Sequence, residues 1–199
     1  YLIAIIQSTK WKRIIMGIVM ITLWVSLLVR TFTWMVILQD QGAVNGLLMA
    51  FGIIKEPVRL VFNSTGVIIG MTHLLLPFMV MNLYPVMEGI DRRLVEAAKG
   101  MGARPYKAFF QIYFPLSLPG IIAGSLVVFV MALGYFVTPA LLGGQSDMMI
   151  SKLIHDNIQV TLNWNIASAL SLILLVATFL ILGLSYFITR MFSVFKGDE

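Results

Sequence analysis

The sequence predicts an all-α membrane protein, a polytopic bundle of helices in one domain, 1–199, and three observations carry that prediction. Hydrophobic residues make up 59% of the chain and charged residues only 12%, against roughly 45–50% and 25% in a soluble domain. Mean hydropathy is +0.94. Four apolar stretches are each long enough to cross a hydrocarbon core of about 30 Å. That crossing takes roughly 20 residues of helix, because lipid cannot satisfy an exposed peptide group.

Taken in order, Tyr1 to Ile6 reads as the tail of an apolar segment already under way, with neither an initiating Met nor a signal-peptide pattern, so N-terminal spans are expected to be missing. The first full span is 14–38, apolar apart from Arg30 and a few hydroxyls, with Arg30 late enough to snorkel toward the far interface. Gly46 to Ile54 is too short to cross and, followed by Lys55, Glu56 and Pro57, reads as an interfacial helix. The second span is 64–87, capped by Ser64 or Thr65 and interrupted by Pro77 and Pro85. A polar segment, 88–114, separates it from a third span, 118–142, which Gly134 and Pro139 break, and 166–189 is the fourth. Two small-residue stripes, Gly66 with Gly70 and Gly120 with Gly124, allow close helix approach, either inside the chain or at the seam to a second subunit.

Basic residues set the orientation. With four spans, the N-terminal flank, 88–114 and the C-terminus share a side. That side holds Lys10, Lys12, Arg13, Arg92, Arg93, Lys99, Arg104, Lys107, Arg190 and Lys196, ten of the 14 Lys and Arg residues. The other holds Arg30, Lys55, Arg59 and Lys152, so 88–114 is placed in the cytoplasm. The formal net charge of +5 is thus mainly a topology signal. No basic patch interleaved with stacking aromatics supports a nucleic-acid partner.

The segment 88–114 has the character of a docking element. Asp91 is suited to cap a short helix whose small apolar face is Leu94, Val95, Ala97 and Ala98, and Gly100 or Gly102 can supply the left-handed residue that ends it. Pro105 suits the first turn of a second helix bearing Tyr106, Phe109, Phe110, Ile112 and Tyr113, large apolar groups that need a partner surface. Chemistry is poorly supported elsewhere. There is no G-x-x-x-x-G-K-[ST] phosphate loop, no H-E-x-x-H and no G-x-S-x-G. The zero cysteines exclude disulfides and thiolate metal sites, and His73 and His155 are far apart in sequence. No cofactor or metal is expected. His73, deep in the second span, is either a functional residue or half of an interhelical hydrogen bond. Trp34, Tyr84, Tyr135 and Phe136 could line a path or sit in the lipid belt and core.

Glu96, Ala97, Ala98, Gly102, Ile112 and Pro115 fall on the pattern Glu-Ala-Ala, three residues, Gly, nine residues, Ile, one residue, Leu-Pro, with Phe114 in place of Leu. Six fixed positions match by chance somewhere in such a chain with odds on the order of 10⁻⁵. The pattern resembles the cytoplasmic Glu-Ala-Ala loop of permease subunits of ABC importers. Leu28 to Trp34, Leu76 to Val80, Pro115 to Gly124 and Phe136 to Gly144 extend the resemblance over nearly the whole chain, to the spermidine/putrescine-type permeases of type I importers. The resemblance implies a non-catalytic subunit of about six helices in a bacterial inner membrane. It would work with a second permease subunit, two cytoplasmic ATP-binding subunits and an extracytoplasmic substrate-binding protein. The solute it implies is a polyamine, the alternatives being an amino-acid, opine or sugar conjugate or, in another class, an ATP-independent carrier or channel. None of the nine acidic residues lies deep in a span, so this subunit alone does not neutralise a polyamine at the midplane; Asp40, Asp147 and Asp156 are expected to attract it at the external mouth.

Overall fold

The computed structural model describes residues 2–6, 8–144 and 147–194, and among them every regular element is a helix. Tyr1, at the head of the expected apolar tail, and Lys196, one of the expected cytoplasmic cations, lie outside the described residues. The elements are α1 (Leu2–Ile5), α2 (Thr9–Trp24), α3 (Leu27–Leu38), α4 (Ala43–Ala50), α5 (Ser64–Glu88), α6 (Arg92–Gly100) and α7 (Pro105–Ala108). A π-helical turn (Phe109–Tyr113) leads into α8 (Phe114–Gly134), followed by α9 (Val137–Leu142), α10 (Ile150–Gln159) and α11 (Trp164–Val194).

Among the described residues three helices are long and apolar enough to cross a membrane, Ser64–Glu88, Pro105–Gly134 and Trp164–Phe187, and there are four crossings if Thr9–Trp24 and Leu27–Ala50 count as one broken span. The stretch read as a single span, 14–38, is therefore α2 and α3, parted at Val25 and Ser26. Ser26 is extended, with φ −50° and ψ 137°, and an apolar run conceals one such residue because hydropathy measures partitioning, not helical continuity. The third span is shifted: its helix begins as far back as Pro105, ends at Gly134 and resumes as α9 after Tyr135 and Phe136. Asn63, not Ser64 or Thr65, caps α5, its Oδ1 accepting from the Gly66 amide at 3.0 Å. α5 runs through Pro77 and Pro85 without a break, as membrane helices allow where the freed carbonyls find other neighbours.

The described helices cluster into two compact units, Tyr1–Trp24 with Leu76–Phe129, and Val25–Leu75 with Val130–Glu199. In the first, Ala4, Met87 and Tyr113 are buried together, with Leu83, Ile90, Val95 and Phe109 packed around them. Gly120 and Gly124 of α8 face α5: a Cβ on Gly120 would meet Val86 at 2.8 Å and one on Gly124 would meet Met79 at 2.8 Å. In the second unit, Leu38, Leu74 and Leu142 are fully buried. Thr31 of α3 meets Thr138 of α9 at 3.3 Å, and Gly70 leaves room for Leu142 and Thr138. Both small-residue stripes thus make contacts within the chain. Asn45, fully buried, pins α4 by donating to the Gln39 and Val58 carbonyls and accepting from the Val58 amide.

Candidate functional site

The loop 88–114 is built from local rules. Asp91 caps α6, its carboxylate accepting from the Arg93 amide at 2.9 Å. At the other end Ala103 donates to the Ala98 carbonyl and Gly102 to the Lys99 carbonyl, each at 3.0 Å, with Gly102 at φ +87°. This is the glycine-stopped helix end, which requires a left-handed residue just past the cap. Gly102, and not Gly100, fills that position. Pro105 then occupies the first turn of α7. The expected second short helix does not stop: it passes through the π turn, where the Phe114 amide reaches the Phe109 carbonyl five residues back, and continues as α8. The wider turn falls where Pro115 would otherwise press on the carbonyl four residues before it.

The motif residues divide by exposure. Ala98 and Ala108 are buried and Val95 packs on the core of the unit, while Glu96, Ala97, Gly102 and Pro115 are exposed and Ile112 is half-buried. Leu94, Val95, Ala97 and Ala98 are therefore not one apolar face but two. Val95 and Ala98 point inward. Leu94, Ala97 and Met101, spaced for one side of a helix, point outward, and Met101 is 83% exposed. Beside them a hollow of about 710 Å³ is lined by Ala98, Gly102, Arg104, Tyr106, Lys107 and Ile112. Tyr113 is only 4% exposed and its hydroxyl donates to the Met87 carbonyl at 3.0 Å, seating the loop on the end of α5. Lys12 Nζ lies 2.6 Å from Glu88 Oε1, and the Arg92 guanidinium donates to the Ala4 carbonyl. The sequence places Lys12 only as a topology charge and Tyr113 only as a group needing a partner surface; their partners within the chain, Glu88 and Met87, escaped it because long-range pairs leave no periodic signal.

The residues proposed for a path form separate groups. Trp34 Nε1 donates to His73 Nδ1 at 3.0 Å, the rings meeting edge-on. Phe136 stacks on His155 with centroids 4.5 Å apart, and Ser151 Oγ donates to the Tyr135 carbonyl at 2.8 Å. These two residues line a hollow of about 300 Å³ at the break between α8 and α9, with Leu27, Met131, Gly134 and Val137. Tyr84 belongs to the first unit. Arg30 was expected to snorkel, yet its Nε and one terminal nitrogen are buried without a hydrogen-bond partner among the described residues. Asp147, named for the external mouth, is already engaged: it accepts from Ser64 Oγ and from the Gly144 amide, and these bonds hold its carboxyl below the usual carboxylate range. Among the described residues no three His, Cys, Asp or Glu groups are placed to hold a metal ion.

Residues 1–194 match the family model described as the binding-protein-dependent transport system inner membrane component. The chain is similar to the spermidine/putrescine transport system permease protein PotB of Haemophilus influenzae, 36% identical over 177 residues, covering 89% of this chain and 62% of that protein. It is likewise similar to PotB of Escherichia coli K12, 35% identical over 173 residues, covering 87% of this chain and 63% of that one. The chain therefore spans less than two thirds of the length of these relatives. Its fold is similar to a chain in the crystal structure of a bacterial ABC transporter involved in the import of the acidic polysaccharide alginate, with a TM-score of 0.68, 19% identity, and coverage of 96% of this chain and 69% of that one.

Proposed function

The chain belongs to the family of binding-protein-dependent transport system inner membrane components, and from that premise we propose that it is the permease subunit of an ATP-driven importer, coupled through loop 88–114 to ATPase subunits that carry the chemistry. The observation that carries this reading is the outward face of α6. Leu94, Ala97 and Met101 expose apolar surface beside Glu96, on a helix fixed at both ends and seated from behind by Val95, Ala98 and Tyr113. A rigid helix presenting an unmatched apolar edge next to a hollow is the geometry of helix-in-groove recognition. It transmits a push from a partner because its own contacts leave it little freedom to yield. A second permease subunit would complete the path, and an extracytoplasmic binding protein would deliver the solute.

The solute we assign is a polyamine such as spermidine or putrescine. Support comes from the relatives named as spermidine/putrescine permeases and from aromatic groups such as Tyr135 and Phe136 around a hollow, since aromatic faces attract alkylammonium ions. A second reading, an amino-acid, opine or sugar conjugate, draws on Arg30, whose Nε and one terminal nitrogen have no partner among the described residues and suit a carboxylate. Uptake by cells carrying the intact importer separates them. The first reading requires ATP-dependent entry of labelled putrescine that disappears when this chain is deleted. Entry of a carboxylate-bearing conjugate, unaffected by excess spermidine or putrescine and without transport of either, contradicts it.

A further inference from the structure

At the loop end of α5 three groups meet that neither the motif nor the fold requires. The Lys12 ammonium, from the first turn of α2, sits 2.6 Å from Glu88 Oε1, with the Glu88 side chain 43% exposed and that of Lys12 18%. Tyr84 stands one helical turn before Glu88 on α5, so its phenol and the carboxylate share one face of the helix. Tyr84 also forms one wall of an apolar slot of about 80 Å³ whose other lining residues are Ile3, Ala4, Val80, Leu83 and Met87. A carboxylate and a phenol beside an apolar slot are what a primary alkylammonium needs: oxygen acceptors for the cationic head and dry surface for its methylenes. Lys12 is itself a primary ammonium on a methylene stem, so the carboxylate already holds the chemical equivalent of such a ligand.

We propose that Glu88 and Tyr84 form an alkylammonium site on the loop side of this permease, and that Lys12 is a tethered occupant which a polyamine end displaces on its way out. The proposal rests on the polyamine reading and on the orientation that puts loop 88–114 in the cytoplasm. It assigns a role to each group. Glu88 supplies the charge, Tyr84 shares its polar end with the carboxylate and its ring with the slot, and Lys12 competes with the solute, so that the site releases a polyamine instead of retaining it. Without Lys12 a bare carboxylate at the exit would hold product; with it, the carboxylate is compensated before and after each passage.

The competition gives a signature that a structural ion pair does not. Breaking a structural pair from either side removes the same bond and shifts function the same way. Removing a competitor and removing the acceptor shift product binding in opposite directions. The complete importer is reconstituted in liposomes with ATP inside, labelled putrescine and binding protein outside, and increasing unlabelled putrescine inside. Lys12→Met should lower the internal putrescine that halves the uptake rate by about fivefold and Glu88→Gln should raise it by about fivefold, the range of a partly exposed charge pair. Tyr84→Phe should raise it less. If Glu88→Gln does not assemble, Lys12→Met alone decides, since an unchanged or raised value overturns the site. Shifts in the same direction, or a wild-type importer insensitive to internal putrescine, overturn the site while leaving the polyamine reading intact. A wild-type importer that takes up no putrescine overturns that reading and the site with it.

Discussion

The loop end of the first unit and the broken-helix region of the second use polar contacts in opposite ways. In the first, the ties that brace the loop lie behind or beneath the motif: Asp91 caps α6, Tyr113 holds Met87, and Glu96, Ala97 and Gly102 are left facing outward. In the second, side chains named from the sequence pair within the unit, Trp34 with His73 and Phe136 with His155, as does Thr31 with Thr138, while Arg30 keeps two buried nitrogens without a partner among the described residues. On the coupling role proposed above, the loop end keeps its distinctive groups free on a braced support, whereas the second unit pairs most of its own internally. The difference predicts that substitutions at the loop end damage coupling more than stability, and that substitutions among the paired groups of the second unit do the reverse.

Gly102→Val sharpens that contrast most. An added Cβ meets nothing within 4 Å, so the damage comes from φ +87°, which costs a β-branched residue on the order of 1–2 kcal/mol, and from bulk on the exposed face proposed for docking. Uptake should fall to background while the subunit remains in the membrane at its normal level, as read by transport and immunoblot together. Loss of the subunit itself would make the loop end a stability element and erase the distinction.

Next in size are Trp34→Phe and His73→Leu. Each removes one partner of an interhelical hydrogen bond, so the detergent-solubilised chain should lose about 1 kcal/mol of stability, with the double substitution little worse than either single one. Retained uptake at permissive temperature would fit a packing role. A changed solute preference with unchanged stability would instead place the pair on the path.

Smallest is the effect at Asp147, whose carboxyl is held below the usual range by Ser64 and the Gly144 amide. A depressed folded-state value means that this contribution is present above the unfolded Asp value, about pH 3.9, and is lost as pH falls through the folded value. Asp147→Asn should therefore remove part of the acid sensitivity below about pH 4, measured by thermal unfolding across pH, and leave uptake near neutral pH almost unchanged.

The loop was legible in the sequence because its determinants are local. Asp91, Gly102 and Pro105 act within a turn of where they stand, and each does what its backbone preferences dictate. The spans were legible as apolar lengths but not as continuous helices: the break at Ser26 has no Pro or Gly beside it, and α5 passes through two prolines that read as interruptions. Asn63 caps α5 from one residue before the apolar run, where the sequence offered Ser64 and Thr65 as equally good oxygens. The destinations of the two glycine stripes and the partner of Lys12 depend on which helices meet. No period in one chain encodes that.

The central claim is that α6 presents its outward face to ATPase subunits from the cytoplasm, and the chain's zero cysteines make a direct test clean. A single Ala97→Cys substitution in the intact importer, treated with a short thiol cross-linker in membranes in which the ATPase also carries one cysteine, should give a product containing both chains whose yield changes when ATP is added. In intact cells the same cysteine should be protected from a membrane-impermeant thiol reagent. Labelling from outside the cell, together with no cross-link to the ATPase, would contradict both the orientation and the coupling role of the loop.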